Sequence, residues 1–100
     1  MATAPVNELI HQTTRLRIMA TLNALRGGAK LEFTELRKLL DVTDGNLGMH
    51  LSTLENAGYV EIEKTFVAKK PRTRASLTRA GRRAFDAHVQ YLRDLIDASS

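Results

Sequence analysis

One hundred residues with 43% hydrophobic content fit a single globular domain with one modest core and argue against disorder. The absence of Cys excludes disulfides, thiolate metal sites and a thiol redox switch, and 5% aromatic residues with no Trp leave the core to Leu, Ile, Val and Ala. The net charge of +4 is unevenly held: Lys64, Lys69, Lys70, Arg72, Arg74, Arg79, Arg82 and Arg83 fill an acid-free stretch, while the other 80 residues hold seven basic and all eleven acidic residues.

Such concentration is the footprint of a polyanion-binding face, the alternative being a solvated basic loop. No apolar run approaches the ~18 residues of a membrane span. The opening residues lack the basic stretch and apolar run of a signal peptide, so a cytoplasmic protein is expected.

From Asn7 to Arg26, Leu9, Ile10, Leu16, Ile18, Met19, Leu22 and Leu25 recur mostly at helical steps. The pattern predicts an amphipathic helix with a break near Thr13-Thr14, ended by Gly27-Gly28. Lys30–Phe33 is expected as a small strand. Thr34 is placed to cap a second helix in which Leu36, Leu39 and Leu40 face the core. After the turn Asp41-Val42-Thr43, Thr43 or Asp44 caps a third helix. Its buried stripe is Leu47, Leu51 and Leu54, and Gly58 stops it. Two short helices joined by about three residues have helix-turn-helix spacing.

From Tyr59 the period changes to two, with Val60 and Ile62 alternating with Glu61 and Glu63, which predicts a half-buried strand. Ala68-Lys69-Lys70-Pro71-Arg72 is expected as a hairpin tip where Pro71 discourages pairing. Arg74–Leu77 returns. Thr78 caps a last helix of about 20 residues along Phe85, Val89, Leu92 and Ile96.

The fold class is therefore mainly α with a small β-hairpin, in the order α-β-α-α-β-β-α. It forms one winged helix-turn-helix domain over residues 1–100, with a recognition helix at about 44–57, a wing at about 59–77 and a last helix at about 78–97. Opposite the buried stripe of the third helix lie Gly45, Asn46, Met49, Ser52 and Asn56. A major groove admits one such helix: Asn46 has the chemistry to pair with adenine, Met49 to touch a thymine methyl, and Ser52 to reach base or phosphate. Gly45 permits close backbone approach. His50 sits at the edge of the stripe, either as a half-buried structural histidine or as a base reader. Lys69, Lys70, Arg72 and Arg74 are the wing's candidates for backbone or minor-groove contact, with Arg72 and Arg74 as the tip choices.

The segments FTELRKLLDVTDGNLGMHLSTLENAGYVEIEK and KKPRTRASLTRAGRRAF, with His11-x-x-x-Arg15-Leu16 upstream, resemble the compact winged-helix regulators related to the MarR and ArsR groups. The resemblance covers about residues 8–90. It implies a transcriptional regulator of double-stranded DNA, working as a homodimer through its terminal helices. Leu9, Ile10, Val89, Leu92, Leu95 and Ile96 are the candidate interface residues.

An enzyme is not expected: no Ser-His-Asp, paired-carboxylate or phosphate-loop arrangement is present. Asp86-x-His88 resembles half of a carboxylate–histidine zinc site, but the second half is missing, so no metal and no cofactor are expected. The sequence names no small-molecule effector. Two other functions fit the same residues: a winged helix serving as a protein-interaction module, and a non-specific nucleic-acid binder.

Overall fold

The structure is a computed structural model and describes residues 6–25 and 27–99. The chain runs α1 (Glu8–His11), α2 (Thr13–Asn23), β1 (Leu31–Glu32), α3 (Phe33–Leu40), α4 (Asp44–Asn56), β2 (Val60–Val67), β3 (Lys70–Leu77) and α5 (Arg79–Ala98). This is the expected order. The helical break falls at Gln12, just ahead of Thr13, where extended backbone separates α1 from α2. The Gln12 side chain accepts from Arg15 N–H at 2.8 Å, and the Asn7 side chain accepts from Ile10 N–H at 3.2 Å, so each short helix has its own cap. Arg26, the expected end of the first helical pattern, lies outside the described residues.

Two details of α3 differ from expectation. The helix starts at Phe33 with Glu32 as its cap residue, without a side-chain hydrogen bond, so Thr34 lies inside the first turn. Glu32 belongs to the β1 ladder, and that pairing fixes where the helix begins. Leu36 and Leu40 are buried, but Leu39 is 62% exposed, because only a narrow stripe of α3 meets the core.

The sheet is antiparallel with order β1-β3-β2. β1 pairs only with Arg74 and Ala75, so beyond that point β2 and β3 continue as a two-stranded ribbon from Lys64↔Thr73 to Val67↔Lys70. The expected five-residue tip is instead a two-residue turn, Ala68-Lys69, with φ of 51° and 65°. Both residues are left-handed, as a type I′ hairpin turn demands. Pro71 lies within the strand opposite Phe66. One step from the closing Val67↔Lys70 pair, the nitrogen at position 71 points away from β2, so proline breaks no ladder bond there.

The core gathers Ile18, Met19 and Leu22 from α2, Leu36 and Leu40 from α3, Leu47, Leu51 and Leu54 from α4, with Val60, Ala75, Leu77 and Phe85. Ile10 is 0% exposed within this same core. Expected at a dimer interface, it is already covered by its own chain and offers no surface to a partner.

Four elements meet at one junction. α4 ends where Gly58 takes φ of 79°, with its N–H bonded to Glu55 O and that of Tyr59 to Leu54 O. Thr78 returns to the same place: its N–H donates to Tyr59 O at 3.0 Å and its hydroxyl to Gly58 O at 2.6 Å, while it caps α5 by accepting from Gly81 N–H at 2.9 Å. Gly81 is buried against Tyr59, and a Cβ there would stand 2.0 Å from Tyr59 O.

A histidine pair joins α1 to α5. His88 is 0% exposed. Its Nε2 lies 3.4 Å from His11 Nδ1, and Tyr91 stacks on its ring. Only one of the two facing nitrogens need carry a proton for the bond to form. Burial, then the neighbouring His11, holds the His88 pKa below its ordinary value of 6.5, against a weaker upward pull from Glu8.

Gly81→Ala should cost about 3 kcal/mol or more, since backbone must move to admit the methyl group, and should lower the melting temperature by about 10 °C or more. Gly48→Ala, whose Cβ meets nothing within 4 Å, should raise it by a few degrees by removing helix-interior glycine. Thermal denaturation of both variants checks the pair, and a Gly81→Ala protein as stable as the parent would refute the junction's role. The pH response has a definite sign. Because the folded His88 binds protons less readily than the unfolded one, its contribution to stability is complete above the unfolded pKa near 6.5. It is lost as pH falls from there through the lowered folded value. Melting temperature should drop between about pH 7.5 and pH 5, and His88→Leu should flatten that slope. A parent protein with a level profile there would contradict this.

Candidate nucleic-acid interface

α4 presents one polar, nearly uncharged face. Thr43 caps the helix by accepting from Asn46 N–H at 3.1 Å. Leu47, Leu51 and Leu54 are buried, and Gly45, Asn46, Ser52 and Asn56 are exposed together with Met49 at 58%. These residues share the outer side of the helix, as their spacing predicts. The charged residues lie at its ends: Asp44 pairs with Arg37 at 2.9 Å, and Glu55 lies towards β2.

His50 does not belong to that face. It is 6% exposed, and its Nδ1 accepts from an Arg15 Nη1 at 3.1 Å. Burial, then the Arg15 charge, lowers its pKa, which favours the neutral ring that this acceptor role requires. Arg15 Nε also donates to Leu9 O at 2.5 Å, so one guanidinium ties α1 to α4 through α2. This places His50 on the structural side of the two alternatives its position left open, and gives Arg15 the same role.

The wing has two unlike faces. Val60, Ile62, Lys64 and Phe66 of β2 share one with Leu77, Ala75, Thr73 and Pro71 of β3. Its inner end packs on the core. Its middle walls a cleft of about 550 Å³ shared with α4, lined by Phe33, Gly48, Leu51, Ser52, Glu55, Ile62, Lys64 and Thr73. The other face carries Glu63, Arg72 and Arg74. There Arg72 Nε donates to Glu32 at 2.9 Å, Arg74 Nε donates to Glu63 at 2.8 Å, and Lys30 also bonds Glu63. Hydrogen bonds from Lys30, then Arg74, lower the Glu63 pKa to about 2, so its carboxylate stays charged.

Of the wing candidates, then, Lys69 sits in the turn and Lys70 beside it, both exposed. Arg72 and Arg74, expected near the tip, lie inside β3 and are braced by acids from β1 and β2. The acid-free run in sequence is not acid-free in space. Lys64 joins Lys69 and Lys70 as a wing cation without an ion-pair partner among the described residues. Sequence reasoning counted Lys64 in the basic stretch but did not single it out, although it shares the parity of Val60 and Ile62. It also did not bring out Phe66, 76% exposed, or Val67, 51% exposed.

Arg82 is turned inward, donating to Asn23 O and Oδ1, whereas Arg79 and Arg83 are exposed. At the far end of α5, Leu95 and Ile96 are 47% and 69% exposed. Val89 and Leu92 are half-buried, as is Leu9 on α1. Among the described residues no group of three or more His, Cys, Asp or Glu side chains is placed to hold a metal ion, and no helix is long and apolar enough to cross a membrane.

Comparison with known proteins follows this geometry. Over 82 residues the chain is 34% identical to an uncharacterized protein of Methanocaldococcus jannaschii, covering 82% of this chain and 86% of that one. A solved transcriptional regulator homologue from Pyrococcus horikoshii superposes with a TM-score of 0.85 at 32% identity, over 94% of this chain and 90% of that one. A putative MarR-family transcriptional regulator from Enterococcus faecalis gives a TM-score of 0.69 at 27% identity, over 91% of this chain and 76% of that one. Residues 14–96 match the model of the winged helix DNA-binding domain, a span that takes in α2, the helix-turn-helix, the wing and most of α5, and the chain belongs to that family.

Proposed function

We propose that the protein is a cytoplasmic, sequence-specific transcriptional regulator that binds double-stranded DNA as a homodimer. α4 enters the major groove, and the wing rests on the adjacent backbone and minor groove. The observation that carries this reading is the outer face of α4 beside a wing whose outward cations have no ion-pair partner among the described residues. Gly45, Asn46, Met49 and Ser52 have the small polar and methyl-bearing chemistry that reads base edges, with Asn46 suited to adenine. Gly48 weakens the helix interior by about 0.5–1 kcal/mol, and neither it nor Gly45 has a neighbour within 4 Å of a Cβ position that would require glycine. Close approach of an external backbone supplies the missing reason.

Affinity comes from Lys64, Lys69 and Lys70, with Arg79 and Arg83 as outer contacts. Arg72 and Arg74 act first by bracing the ribbon. The exposed Leu95 and Ile96, with Leu92, Val89 and Leu9 behind them, form the contact between two copies. That arrangement sets two α4 helices about one DNA turn apart on a near-palindromic site.

Selection from random duplexes should enrich a short, near-palindromic motif, and Asn46→Ala should relax preference at one base position. The combined Lys64→Ala, Lys69→Ala and Lys70→Ala variant should weaken binding to all sequences and flatten the dependence of log K on log salt by about 0.9 per lost phosphate contact. If no motif emerged while duplex binding stayed salt-dependent, the protein would be a non-specific binder. If no duplex were bound at all, a protein-interaction role would replace this one.

A further inference from the structure

We infer that the wing tip carries an apolar wedge, Phe66 backed by Pro71, which enters the minor groove of a bound duplex and partly unstacks one base step. The inference rests on the reading of α4 as the groove-binding helix and deepens it. It assigns the tip a mode of contact that its lysines alone do not provide.

Phe66 is 76% exposed, more than any other large hydrophobic side chain among the described residues. Its cross-strand partner is Pro71, which is exposed beside it. The pair lies on the face of the ribbon that also carries Lys64 and Thr73 and walls the cleft against α4, so Phe66 stands on the side from which α4 is approached. The ribbon projects about four residues past its last contact with β1, roughly 13 Å at strand rise, against a minor groove about 7.5 Å deep. The turn that holds the tip is tight: Ala68 and Lys69 both sit in left-handed backbone that disfavours non-glycine residues. The wedge is therefore mounted on a short, well-defined support.

Charge selects the occupant. Lys64 shares the face of Phe66, and Lys69 and Lys70 lie at the turn that follows it, all three without an acidic partner among the described residues. A second copy meeting this tip about a two-fold axis would bring the same lysines against it. A duplex offers phosphates to those lysines and a stacked, apolar step to the ring. Inserted Phe, Leu and Pro side chains unstack such steps and kink the helix axis towards the major groove. TA and CA steps yield most readily, so the wedge would add preference at positions α4 does not touch.

The test uses the full chain and end-labelled duplexes of about 25 base pairs rich in TA and CA steps, with a fluorescent adenine analogue that brightens on unstacking placed at successive positions. The parent protein should brighten the analogue at one position and shorten the end-to-end distance measured by energy transfer. Phe66→Ala should abolish both effects and weaken binding about tenfold with the salt dependence unchanged. Phe66→Leu should retain most of the bend. Because Phe66 packs against little of its own chain, the variants should keep the parent's melting temperature. Tight, salt-dependent binding by the parent with no unstacking would overturn the wedge and leave the DNA-binding reading standing. The wedge would also fall if Phe66→Ala matched the parent on DNA but altered self-association or binding to anionic vesicles. Failure of the parent to bind any duplex would overturn both.

Discussion

The close approach of α5 to the backbone of Tyr59 decides the geometry of everything that faces outward. α4 ends at Asn56 just ahead of Gly58, β2 begins at Val60, β3 ends at Leu77, and α5 leaves from Thr78. Within this small volume Thr78 bonds both Gly58 O and Tyr59 O, and Gly81 leaves no room for a side chain. The angle between the wing and α4 is set at this place and by the braces from Lys30 and Glu32 further along the ribbon, beyond which it has no third strand to hold it. A methyl group at position 81 therefore acts on the wing's aim as well as on stability. α5 is also the element that carries the exposed Leu95 and Ile96, so in the proposed dimer the spacing of two copies would depend on the same contact.

Much of this was legible in the sequence, for identifiable reasons. Leu47, Leu51 and Leu54 at helical spacing, with Thr43 before them and Gly58 after, specify α4 by local chemistry alone. Thr78 announces α5 in the same way. The misreadings concern pairings between distant segments. No local signal says that Glu32 will meet Arg72 or that Glu63 will meet Arg74; both follow from the register β1-β3-β2. Ala68-Lys69 lacks the Asn or Gly that usually marks a two-residue hairpin, and Pro71 is tolerated because its nitrogen faces away from β2. Leu39 and Ile10 exchange their expected roles, one exposed and one buried, because the width of a helical stripe is decided by the neighbour it meets.

Register also sorts the basic residues by task. The arginines in β3 face acids across the sheet, where planar, multi-donor groups can each hold a carboxylate. The lysines lie in the outer part of the ribbon, where flexible, well-hydrated ammonium groups suit diffuse contact with phosphates. A count of positive charge along the chain therefore overstates what is available outside. Lys30 belongs with the braces, since it shares Glu63 with Arg74.

The histidines follow the same division between holding and reading. His50 is carried by the helix that faces outward, yet it accepts a bond from Arg15 and is lost to solvent. His88 is carried by α5 and closes on His11. Both pKa values are lowered chiefly by burial, so both rings favour the neutral form near neutral pH. With the His50 ring turned inward and Arg37 paired with Asp44, what remains on the outer surface of α4 is largely uncharged and locally weak as a helix. Such a face adds little to affinity by itself. On the proposed reading its value lies in discriminating one base edge from another once other groups have supplied the binding energy, and the wing is where cations without an ion-pair partner among the described residues lie beside an exposed ring. On that reading selectivity and affinity reside on different secondary structures, joined where Gly81 meets the backbone of Tyr59.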